Sequence, residues 1–61
     1  MTKTTTKSGK NVIIRVVKAG NTCHAVIVAR NGRVIAESDT MRPAFGVEAA
    51  ERDGLALAAR I

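Results

Sequence analysis

The chain has 61 residues, a formal charge of +5 and a single cysteine. A domain this short buries only about 60% of the surface its unfolded chain exposes, so it draws on a disulfide, a metal or a second copy for stability. Cys23 alone excludes an intrachain disulfide, and Cys23 beside His24 falls short of the four ligands of a structural zinc, which leaves oligomerisation.

Hydrophobic residues make up 46% of the sequence, an ordinary share for a chain that folds. No apolar run approaches the ~18 residues of a membrane span, and the first residues lack the apolar core of a signal peptide. The expectation is a cytoplasmic protein with no membrane contact. A lone thiol fits that reducing compartment.

Residues 1–10 are Thr, Ser, Gly and Lys after Met1 and have no apolar periodicity. They read as a disordered basic tail carrying Lys3, Lys7 and Lys10. The remaining residues, 11–61, read as one domain with seven basic and five acidic side chains, so the basicity is assigned mostly to the tail.

The stretch NVIIRVVK, 11–18, is β-branched and too short for a free-standing helix, and predicts a first strand. A turn at Gly20-Asn21 leads into TCHAVIVAR, 22–30, the second strand. Asn31-Gly32 predicts a type I′ hairpin into a third strand over 33–38. That two-residue loop sets Arg30 opposite Arg33, Val28 opposite Ile35 and Val26 opposite Glu37. Ala25, Ile27, Ala29, Val34 and Ala36 then share one face with Val12, Ile14 and Val16. His24, Val26, Val28, Ile35 and Glu37 share the other with Ile13, Arg15 and Val17.

Pro43 marks a helix start, with Thr40 or Ser38 as cap, and a helical pattern runs on from Val47. Val47, Ala50, Gly54, Leu57, Ala58 and Ile61 form one stripe. Glycine in mid-helix costs about 1 kcal/mol relative to alanine, so Gly54 implies close approach of the backbone to the sheet. The predicted fold is α+β: a three-stranded antiparallel sheet of two hairpins followed by one helix packed on one face, β-β-β-α.

The segment ARNGRVIAES, 29–38, resembles the second hairpin of the YegP-like family of small bacterial domains. There a strand ending in Ala-x-Asn-Gly is followed by a Val-Ile-x-x-Ser strand. Asp53-Gly54-Leu55 is similar to the Asn-Gly-Ile of that family's helix. The family's aromatic residues are missing here, Met41 standing where Tyr is usual, and residues 42–46 look inserted. The resemblance covers about half the chain; it implies a β-β-β-α unit that pairs with a second copy, and no established activity.

Cys23 and His24 are strand neighbours whose side chains point to opposite faces, so they form no nucleophile–base pair. Cys23 reads as a small hydrophobe and His24 as a half-exposed structural residue. Glu37 and Asp39 lack a third ligand for a metal, and Gly20 and Gly32 close hairpins rather than cradle a phosphate. No enzymatic activity and no cofactor are expected. Arg30 and Arg33, opposed across the hairpin, invite an anion or a partner carboxylate, and Arg15 extends their face.

One helix covers one face of a sheet. Ile13, Val17, Val26, Val28 and Ile35 are therefore expected as an exposed apolar interface. The reading is a small protein-binding or inhibitory module, a homodimer through that face, with a phage or mobile-element source. The alternative is weak, sequence-independent nucleic-acid binding through the tail and the arginines. Only Phe45 is aromatic, which disfavours base stacking.

Overall fold

The computed structural model describes residues 2–61; Met1, the first residue of the expected tail, lies outside them. Four strands precede one helix: β1 (Thr2–Thr5), β2 (Asn11–Ala19), β3 (Thr22–Ala29), β4 (Val34–Glu37) and α1 (Val47–Ala58). The strands form one antiparallel sheet in the order β1-β2-β3-β4. The sheet thus has four strands, not the expected three.

The extra strand comes from the segment read as a tail. Thr2, Thr4 and Thr5 are β-branched, and β1 pairs with β2 through Thr2↔Ile14, Lys3↔Ile13, Thr4↔Val12 and Thr5↔Asn11. A strand of Thr and Lys has no apolar face to betray it, because its stability comes from the β2 ladder and not from its own side chains. The turn after it is ordered too. Thr6 is 5% exposed, and its hydroxyl accepts the Lys10 N–H at 3.0 Å and meets the Ser8 hydroxyl at 2.9 Å. The Lys7 N–H donates to the Ala58 carbonyl at 3.1 Å, tying this turn to the last turn of α1.

A two-residue Gly20-Asn21 turn joins β2 to β3, with Ala19 facing Thr22, and places Val12, Ile14 and Val16 on the face shared by Ala25, Ile27 and Ala29. The other two hairpin loops are built alike. In the first, Gly9 N–H donates to Thr6 and Thr6 N–H to Lys10; in the second, Gly32 N–H donates to Ala29 and Ala29 N–H to Arg33. Gly9 and Gly32 both have φ of 90°, and among the described residues only glycines have positive φ. This is the three-residue loop closed by a left-handed glycine, so the expected type I′ turn, which needs positive φ at Asn31 as well, does not form.

The added loop residue changes the pairing at once. Val28 faces Val34 instead of Ile35, and a bulge then restores Ile27↔Ala36 and Val26↔Glu37. Ile35 is the unpaired residue, and Val34 sits on the face of Val28.

Pro43 does not start the helix. Ser38 closes β4: its N–H donates to the Ala25 carbonyl at 2.9 Å and its hydroxyl accepts the Ala25 N–H at 2.8 Å. The chain then loops out and returns at Ala44, which exchanges both backbone hydrogen bonds with Cys23 at 2.8 Å. Only after this second docking does α1 begin, at an N-cap, Gly46, that has no side-chain hydrogen bond to offer.

The helix lies on the face of Val12, Ile14, Ala25 and Ile27, which form the core with Ala58. Ala50, Gly54 and Ala58 are its buried residues. A β-carbon on Gly54 would stand 2.6 Å from Ile14 Cγ2 and 2.8 Å from Ala25 Cβ, so the helix rides closer than any side chain there permits.

Candidate functional site

Ile13, Arg15, Val17, Val26 and Val28 do share the uncovered face: Ile13 pairs with Val28, Arg15 with Val26 and Val17 with His24. They do not make an open apolar patch. Val26 and Val28 are each only 7% exposed, because β3 is an inner strand and each is flanked on both sides, Val26 by Arg15 and Glu37, Val28 by Ile13 and Val34. The accessible apolar side chains near this face are Val17, Val34 and Ile35. His24 Nε2 lies 3.7 Å from Glu37 Oε1, so each has an intrachain neighbour on this face.

Arg30 and Arg33 are not opposed. Arg30 opens the loop, and Arg33 pairs through its carbonyl with Ala29, so no forced contact of like charges demands a compensating anion. The charges are instead divided along the chain. Up to Ala36 the chain has seven basic residues and no acid; from Glu37 on it has three basic and five acidic.

Topology turns this linear asymmetry into a spatial one. The 6–10 and 30–33 loops lie at the same end of the sheet, because Val12 pairs with Ala29, and the Lys7–Ala58 hydrogen bond brings the end of α1 there as well. Lys7, Lys10, Arg30, Arg33 and Arg60 are gathered at this end, and none of the five acids lies in either loop or beyond α1. Glu37, Asp39 and Glu48 belong to the opposite end, where β4 stops and α1 begins.

Between β1 and the end of β3 runs an open groove of about 500 Å³ whose walls include Lys3, Thr5, Asn11, Ile13 and Arg30. A shallower depression adjoins it, shared through Asn11 and Arg30 and bounded by Lys10 and Asn31. The Asn31 side-chain oxygen accepts the Arg33 N–H at 3.0 Å. Its amide NH₂ is therefore the group left to act as a donor.

Among the described residues, no group of three or more His, Cys, Asp or Glu side chains is placed to hold a metal ion. No helix among them is long and apolar enough to cross a membrane. Cys23 is buried and lies on the helix side of β3, His24 on the other. No protein-family model, curated protein or solved structure matches the chain.

Proposed function

We propose that the protein is a binding module that holds the phosphate backbone of a nucleic acid against the loop end of its sheet, in the cytoplasm and without catalysing a reaction. The observation that supports this reading is the gathering of five cations from three separate parts of the chain at one end, where neither loop nor the residues after α1 include Asp or Glu. Cations near the end of α1 also complement the helix dipole, which accounts for Lys7 and Arg60 but not for Lys10, Arg30 and Arg33.

Phosphate contacts fix position and carry no sequence information. Phe45, the one aromatic residue, lies in the connection before α1, so no row of rings stands beside the cations to stack bases. Binding is therefore sequence-independent and steeply salt-dependent. Anisotropy of a labelled oligonucleotide should show affinity falling linearly in log–log form between about 50 and 200 mM salt. Salt-tolerant or sequence-selective binding would refute the reading.

A second reading draws on the other end. Met41 and Phe45 are 88% and 84% exposed in the connection between β4 and α1, an apolar pair that a second copy or another protein would cover. Sedimentation of the wild type beside Phe45→Ser tests it. A wild type that is monomeric at tens of micromolar, as judged against an affinity scale on which a micromolar Kd is about 8 kcal/mol, removes the homodimer.

A further inference from the structure

We infer that the groove beside β1 and its adjoining depression form one seat for a phosphate group of a polynucleotide, with Arg30 as the anchor. The inference rests on the nucleic-acid reading and narrows it to named atoms. Arg30 and Asn11 line both hollows, and Arg30 is the charged one of the two, with Lys3 on one side and Lys10 on the other. Its planar fork matches two phosphate oxygens at once, whereas the two lysines act as flexible point charges.

The Asn31 amide adds an oriented donor, because its oxygen is held by the Arg33 N–H. Thr5 adds a hydroxyl, and no carboxylate lines either hollow. Ile13 in the wall gives the sugar attached to the phosphate an apolar surface. A volume near 500 Å³ falls in the range of small-ligand clefts and exceeds what one phosphate needs. The phosphate arrives as an internal diester or as a terminal monoester, and the same donors serve both.

The test uses the full chain and amide chemical shifts. Short oligonucleotides with and without a 5′-phosphate, and inorganic phosphate alone, are titrated into wild type, Arg30→Lys and Arg52→Lys. The seat predicts shifts centred on Lys3, Asn11, Arg30 and Asn31, and a loss of about tenfold in oligonucleotide affinity for Arg30→Lys, which keeps the charge but not the fork. Arg52→Lys, at an exposed position of α1 that lines neither hollow and lies outside the five gathered cations, should change affinity less than about twofold. A large loss on removing the 5′-phosphate assigns the monoester; no loss assigns the diester. If the oligonucleotide binds but Arg30→Lys is unaffected and the shifts lie elsewhere, the seat is wrong while the nucleic-acid reading stands. No binding to any oligonucleotide overturns both.

Discussion

On the helix-covered face, Val12, Ile14, Ala25 and Ile27 close against Ala50, Gly54 and Ala58. On the opposite face, Val26 and Val28 come close to the same burial with no second layer above them. The first face is sealed by the approach of a backbone, which demands small residues at the contact. The second is sealed sideways, by neighbours that stay partly in water themselves, such as Arg15, Val34 and Glu37. Long charged side chains can screen apolar surface with their stems while the heads remain solvated. A single-helix sheet protein of this size therefore does not need a partner over its open face merely to hide two valines.

β1 serves both faces, so its removal should have the largest effect. Deleting residues 2–10 strips the β1 ladder from β2, uncovers the edge beside Ile14 and removes the Lys7–Ala58 hydrogen bond. The expected outcome is loss of a cooperative thermal transition by circular dichroism. An unchanged melting curve would show that β1 contributes nothing to either face.

Gly54→Ala probes the sealed face. At an exposed helix position the change would stabilise by about 1 kcal/mol. Here the new methyl collides with Ile14 and Ala25, and overpacking costs about 1–3 kcal/mol. Denaturant unfolding should show net destabilisation of up to about 2 kcal/mol, and a more stable variant would mean that the helix stands off the sheet.

Val26→Thr probes the other face and should do least. The shape is nearly kept, and a hydroxyl screened only by side chains can still reach water, so the loss should stay near 1 kcal/mol or below. A loss above about 3 kcal/mol would mean that Val26 lies in an interior as dry as that around Ile27.

Much of this arrangement is readable in the sequence where one residue type serves one purpose. β2 and β3 are written in runs of Val and Ile, and the helix from Val47 shows its stripe. β1 is unreadable for the opposite reason: Thr, Lys and Ser are the composition of a solvated tail, and an edge strand leaning on a strong neighbour needs nothing else. Asn31-Gly32 marks a hairpin correctly but leaves its length open, since the outcome turns on the φ of Asn31, and one residue of difference moves Val34 to the other face. The lysines of residues 1–10 and Arg30 and Arg33 are legible as candidate anion contacts, but their common end of the sheet is not. Its lysines and arginines belong to loops that only the finished sheet brings side by side, although the absence of any acid before Glu37 was there to be counted.

Cys23 offers the molecule a clock of its own. Its side chain is buried, at 6% residue exposure, and its backbone is bonded on the outer edge of β3 by Ala44. Thiol reagents attack the thiolate and need access to it. The rate at which this one sulfur is alkylated under native conditions therefore counts openings of the connection that docks at Ala44 or of the whole domain. Varying denaturant separates the two, because local release exposes little surface and responds weakly, while global unfolding responds with the full dependence of the domain.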